Sequence, residues 1–142
     1  MKPVFAFVLL FFSSITFAQH SVIGKWKTID DETGKAVSVV EIYEAKGKIY
    51  GKVIEIFNPK DRKRICVNCT GDDHNKPLIG LTVIKGLTKD GSEFSNGKIL
   101  DPKHGKLYKC YITLETADKL KVRGYIGISL IGRTQYWERI KS

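Results

Sequence analysis

Turn-forming clusters cut this chain into pieces too short for helices of ordinary length. Asp30-Asp31-Glu32-Thr33-Gly34, Ala45-Lys46-Gly47, Asp90-Gly91, Asp101-Pro102-Lys103-His104-Gly105 and Thr116-Ala117-Asp118 recur along it. Glycine and aspartate in such clusters reach turn conformations that other side chains resist, and proline presets one of them. Between the clusters lie runs of six to nine residues rich in β-branched and aromatic side chains, which read as strands at 22–29, 36–43, 49–57, 81–87, 93–100, 107–114, 120–125 and 133–140. Alternation is clearest in the sixth, where Tyr108, Cys110, Ile112 and Leu114 share one face. The fifth is expected to bend at Asn96-Gly97. No amphipathic helix interrupts the series.

Eight strands joined by tight connections leave two exposed edges unless the sheet closes. Closure at eight strands gives an interior that either fills with side chains or holds one small ligand. The expectation is therefore an all-β fold, an eight-stranded antiparallel up-and-down barrel. In a meander of this kind the first and last strands are neighbours. Trp26 on the first and Arg139 on the last are then read as the closure, with the guanidinium across the indole ring.

Residues 1–18 are read apart from this domain. A basic start at Met1-Lys2, an apolar run over 4–12 and Thr16-Phe17-Ala18 before Gln19 have the form of a secretory signal peptide. The apolar run is too short for a transmembrane helix, and no cysteine follows the expected cut to carry a lipid. The expected product is a single domain over 19–142, exported to the periplasm or secreted, and monomeric. The chain carries 24 Lys and Arg against 15 Asp and Glu. An exported surface of that sign favours anionic envelope components. Nucleic acid is excluded as a partner by the leader and by the lack of any accompanying recognition motif.

The segment 58–80 is too long for a simple connector. It holds Lys60-Asp61-Arg62-Lys63-Arg64 and then Cys66-Val67-Asn68-Cys69. A local disulfide between Cys66 and Cys69 is the default in an oxidising compartment. Two other readings stand beside it. Cys66, Cys69 and His74 match three ligands of a zinc knuckle, but the fourth position is Ile79, and His104 would have to fold close to complete the set. Redox catalysis would need a helix start after the pair, which the pattern does not supply. A longer Cys66–Cys110 link would stabilise more by chain entropy, yet Cys110 reads as a buried apolar thiol.

No catalytic constellation is found, and no cofactor is expected. Gly127-Ile128-Ser129-Leu130-Ile131-Gly132 has one residue too many for a nucleophile elbow. Asp72, Asp73 and Asn75 lack calcium-loop spacing and read as turn residues. The polar candidates are Arg123, Arg133, Gln135 and Trp137. Arg133, Gln135, Trp137 and Arg139 alternate onto one face, so a guanidinium, an amide and an indole are placed to meet a small amphipathic or anionic ligand. Apolar 126–131, flanked by Gly124 and Gly132, reads as either a mouth loop or a packed corner.

Two resemblances follow from these residues. Gly24-x-Trp26 with Arg139 resembles the calycin superfamily of lipocalins and fatty-acid-binding proteins, which implies a lipocalin-like barrel with the arginine packed over the tryptophan. Lys76-Pro77-Leu78-Ile79-Gly80-Leu81, Ile84-Lys85-Gly86-Leu87, Ile99-Leu100-Asp101-Pro102, Val122-Arg123-Gly124-Tyr125-Ile126-Gly127 and Gly132-Arg133-Thr134-Gln135 resemble the bacterial family called domain of unknown function 2147. That resemblance implies an exported single small domain and transfers no catalytic residue. Ser129 stands where the family pattern has proline. The function expected is small-ligand binding; the alternative is an envelope interaction or structural module with a filled core, acting through its basic surface and 58–80.

Overall fold

The structure, a computed structural model, describes residues 21–141 together with residue 3. The leader read in 1–18, Pro3 aside, lies outside the described residues. Eight strands follow one another: β1 (Gly24–Ile29), β2 (Ala36–Ala45), β3 (Lys48–Ile56), β4 (Thr82–Asp90), β5 (Glu93–Asp101), β6 (Lys106–Thr116), β7 (Lys119–Tyr125) and β8 (Gly132–Arg139). Each pairs antiparallel with the next, and β1 pairs with β8 through Trp26 opposite Arg139, so the sheet closes into a barrel. The expected bend in β5 is a register shift between Phe94 and Gly97, with Asn96 at φ 62°.

The up-and-down order sorts the connections onto two ends. Tight turns at Lys46-Gly47, Gly91-Ser92 and Ala117-Asp118 lie at one end, with residues 21–23 beside them. The other end carries the β1–β2 turn, the long segment 57–81, the β5–β6 turn and the β7–β8 loop. We call these the closed end and the open end.

Alternation along each strand sends large side chains into the closed half. Trp26, Ile42, Ile84, Leu87, Ile112 and Leu120 are all at most 1% exposed. Cys110 is fully buried beside them as a free thiol, and burial pushes its pKa up to about 12. Gly51 shows how tight the packing is: a Cβ there would lie 3.0 Å from Val40 and 3.1 Å from Ile84.

Arg139 seals the closed end. Its Cζ lies 4.3 Å from the centre of the Trp26 ring. Its Nε donates to the Ala117 carbonyl at 2.8 Å, its Nη1 to Ile23 at 3.0 Å and its Nη2 to Ser21. Trp26 Nε1 donates to the Val22 carbonyl at 2.9 Å, so indole and guanidinium together hold the segment that precedes β1. Gly24 makes room for this: it sits at φ 140°, and a Cβ would lie 2.9 Å from Arg139 Nη1.

Segment 57–81 is ordered by local contacts. It holds two single-turn 3-10 helices, Pro59–Asp61 and Gly71–Asp73, and an isolated bridge between Ile65 and Pro77. Cys66 and Cys69 form a disulfide and are buried. With both sulfurs in that bond, neither the zinc knuckle nor the longer link to Cys110 is formed; His74 Nδ1 instead meets the Cys69 carbonyl at 2.9 Å. Asp73 pairs with Lys85 on β4, and Asn68 Nδ2 donates to the Lys103 carbonyl at 2.9 Å. The segment thus leans on the β5–β6 turn. Gly105 permits the approach, since a Cβ there would lie 1.8 Å from the Asn68 carbonyl oxygen.

Candidate ligand-binding site

The open half of the barrel is hollow. Inward positions there carry small side chains, Val40, Val53, Val83, Val122 and Gly124, in place of the bulk that fills the closed half. They leave a cavity of about 640 Å³. That lies within the range of about 300 to 1,000 Å³ typical of small-molecule sites. Ile99, Tyr108 and Trp137 complete a mostly apolar wall. Gly124 is inward, where a Cβ would lie 3.2 Å from Ile99 and 3.6 Å from Tyr108. Ile29 and Asp30 of the β1–β2 turn, Pro102 and Lys103 of the β5–β6 turn, and Ile126 and Ile131 of the β7–β8 loop form the rim.

Three of the four polar candidates line this cavity: Arg133, Gln135 and Trp137. Their alternation down β8 runs from the rim into the wall. A chain of hydrogen bonds joins them. Trp137 Nε1 donates to Gln135 Oε1 at 3.0 Å, Gln135 Nε2 donates to Asp31 Oδ1 at 3.2 Å, and Arg133 donates to Asp31 Oδ2 through Nε at 3.0 Å and Nη2 at 2.7 Å. Glu32 accepts a further bond from Arg133 at 3.1 Å. Deeper in, Thr28 Oγ1 and Ser38 Oγ lie 2.8 Å apart. Most of the cavity's polar groups therefore satisfy one another and leave the apolar wall as the main surface on offer.

Electrostatics at the rim follow from these contacts. Partial burial raises the Asp31 pKa, but the hydrogen bonds from Arg133 and Gln135 outweigh it and hold the carboxyl below its ordinary value. Asp30 is lowered by the backbone N–H groups of Thr33 and Glu32. The bond to Asp31 in turn raises Arg133. The Arg133 charge is thus already offset by two carboxylates, so the rim is no simple anion trap.

Arg123 does not line the cavity. Val122 and Gly124 face inward on β7, so the residue between them faces outward. Its Nε donates to the Ser129 carbonyl at 2.8 Å and its Nη1 to Thr134 Oγ1 at 2.7 Å, which clips the β7–β8 loop to the outer wall. Asp31 and Tyr108 belong to the site without having been singled out. Asp31 reads in sequence as a turn former and Tyr108 as one inward residue among several. Nothing in 57–80 lines the cavity.

Among the described residues, no group of three or more histidine, cysteine or acidic side chains is placed to hold a metal ion. No curated protein matches the chain. A solved structure from Helicobacter pylori, protein HP1028, described as belonging to the lipocalin family, superposes with a TM-score of 0.76 over 87% of this chain and 86% of that one. At 20% identity the likeness is one of fold. Residues 24–139 match the family described as an uncharacterized protein conserved in bacteria, DUF2147, and the chain belongs to that family.

Proposed function

We propose that this protein is an exported carrier of a small amphipathic ligand, whose apolar body occupies the barrel cavity and whose polar end meets the rim at Arg133 and Gln135. The observation that carries the reading is the contrast inside one barrel: a closed half packed with large side chains and an open half walled by valines and a glycine around about 640 Å³. The lipocalin-like fold supports it, since barrels of this strand number have room for one small ligand. Export is supported by the leader pattern in 1–18 and by the Cys66–Cys69 disulfide, which suits an oxidising compartment. The neutralised Arg133 favours an amphipathic ligand over a purely anionic one. A hollow open half also weighs against the alternative of a filled interaction module.

Gly124→Leu tests this directly, because its side chain would enter the cavity between Ile99 and Tyr108. Titration with the neutral probe N-phenyl-1-naphthylamine should give saturable one-to-one fluorescence enhancement with the wild type. The variant should lose at least about tenfold in affinity, one to two buried methylenes' worth of contact, while its near-ultraviolet circular dichroism stays native. Unsaturable binding, or equal binding by a natively folded variant, would sink the carrier reading.

A further inference from the structure

The β7–β8 loop is more apolar than a solvent-facing loop has reason to be. Ile126, Ile128, Leu130 and Ile131 are 64%, 60%, 84% and 62% exposed within six residues. Single exposed apolar side chains are ordinary, but a contiguous group marks an interaction site. We propose that this loop is a membrane anchor, which inserts into the surface of an anionic lipid bilayer and sets the barrel mouth against it.

Three observations commit the occupant to lipid. The first is that four of the loop's carbonyls, those of Gly127, Ile128, Ser129 and Ile131, already have partners. Ile126 N–H donates to the Ile131 carbonyl at 3.0 Å and Ile131 N–H to the Ile128 carbonyl at 3.1 Å. The Gly127 and Ser129 carbonyls accept from Lys109 Nζ at 3.3 Å and Arg123 Nε at 2.8 Å. Carbonyls already paired can enter a medium that offers no hydrogen bonds.

The second is the chemistry behind the tip. Below the apolar loop, the outer wall of β6 and β7 carries Tyr125 opposite Lys109 and then Tyr111 opposite Arg123, with the tyrosine ring centres 6.2 Å apart, and Lys121 one row further from the tip. Lys121 Nζ lies 5.6 Å from the Tyr111 ring centre. An apolar tip backed by a belt in which tyrosines and long cationic side chains alternate matches the chemistry of a bilayer interface, where both belong near the headgroups. Arg123, which the cavity does not use, thereby has a position at headgroup depth.

The third is charge. Lys98 stands directly opposite Lys109 across β5 and β6. Like charges in that position destabilise a sheet, and an anionic partner removes the penalty. The acids nearest the mouth are otherwise engaged: Asp31 and Glu32 with Arg133, Asp101 with His104, and Asp30 with the N–H groups of its own turn. A second copy of this chain would bring the same cations face to face. Because Ile126, Ile131 and Gly132 also line the cavity, docking would place its opening at the lipid surface.

The test is co-flotation with vesicles of phosphatidylcholine alone and of phosphatidylcholine with phosphatidylglycerol in equal parts. The wild type should float with the mixed vesicles, less so as salt rises, and only weakly with phosphatidylcholine alone. The double variant Ile128→Asp, Leu130→Asp changes two exposed side chains, so its fold should be unaffected. Each apolar side chain lost from the interface is worth about tenfold in partition, so binding should fall about a hundredfold. Lys98→Glu should weaken binding to the mixed vesicles severalfold and leave binding to phosphatidylcholine unchanged. Equal flotation of the double variant would overturn the proposal. So would sedimentation showing that the wild type forms a dimer which the double variant dissolves. Gly124→Leu should float like the wild type and the double variant should still bind N-phenyl-1-naphthylamine, so failure of the anchor and failure of the carrier reading are separable.

Discussion

Replacing Arg139 by alanine removes four interactions that converge on the closed end of the barrel. The guanidinium lies 4.3 Å over a fully buried indole, and its three nitrogens reach the carbonyls of Ser21, Ile23 and Ala117. A cation over a desolvated ring contributes about 1 to 2 kcal/mol. Three hydrogen bonds at about 1 kcal/mol each add to this, less what the freed carbonyls regain from water at the end of the barrel. The expected loss is about 3 to 4 kcal/mol, a large part of the roughly 5 to 15 kcal/mol that holds a domain together. Melting should fall by about 10 to 15 °C for a domain of this size. Guanidinium denaturation followed by tryptophan fluorescence reads the free energy and the slope together. Arg139→Lys keeps a cation but not the planar fork, so it should recover less than half of the loss. Gly24→Ala would press a Cβ against the same guanidinium at φ 140°, so the part of its cost that comes from the contact should disappear in the Arg139→Ala background while the backbone strain remains. A loss below about 1 kcal/mol with an unchanged slope, or full recovery by lysine, would show that the contact is ornamental to closure.

Three further predictions concern the cysteines and the segment packed beside the mouth. Cys66→Ser with Cys69→Ser should cost about 2 kcal/mol, the loop-closure value for so short a ring, measured as a lower denaturation midpoint; an unchanged midpoint would mean that contacts alone order the segment. In the same protein Cys110 should resist iodoacetamide until unfolding, because it is buried and its thiolate is disfavoured. Gly105→Ala should destabilise by more than about 2 kcal/mol, since its Cβ would overlap the Asn68 carbonyl and φ there is 69°. A neutral result would mean that the segment does not rest on the β5–β6 turn.

The strands were legible because their boundaries are written in residue types that few conformations suit. Asp90-Gly91 and Asp101 to Gly105 locate two connections almost to the residue, and Trp26 with Arg139 predicts the neighbours that close the barrel. The closed-end hydrogen bonds were not legible, because they depend on where residues 21–23 lie after the barrel has formed. The cavity was hidden for a related reason: valines at inward positions mean a core in one barrel and a wall in another, and only the spacing across the barrel decides. Arg123 is instructive in a different way. Leu120 and Val122 against Lys121 and Arg123 already place that arginine outside, because side chains alternate along the strand whatever their chemistry. Asp31 was masked by its own turn, where an aspartate needs no further explanation.

The asymmetry between the two halves bears on what the cavity holds. A sealed and empty void forfeits about 24 cal/mol per Å³, which over about 640 Å³ amounts to some 15 kcal/mol. That is as much as an entire domain's stability, so a dry void of this size would not persist. The cavity is opened instead to the rim, where Asp30, Lys103 and Arg133 meet solvent. Water that enters it meets a wall of valines, isoleucines and tryptophan, which holds water poorly. Displacing that water is where the free energy of binding would come from, and the rim groups would fix only orientation. Stability must correspondingly come from the closed half, where Arg139, Trp26 and their packed neighbours lie. The division of labour explains why a change at Arg139 should be felt in folding and one at Gly124 in binding.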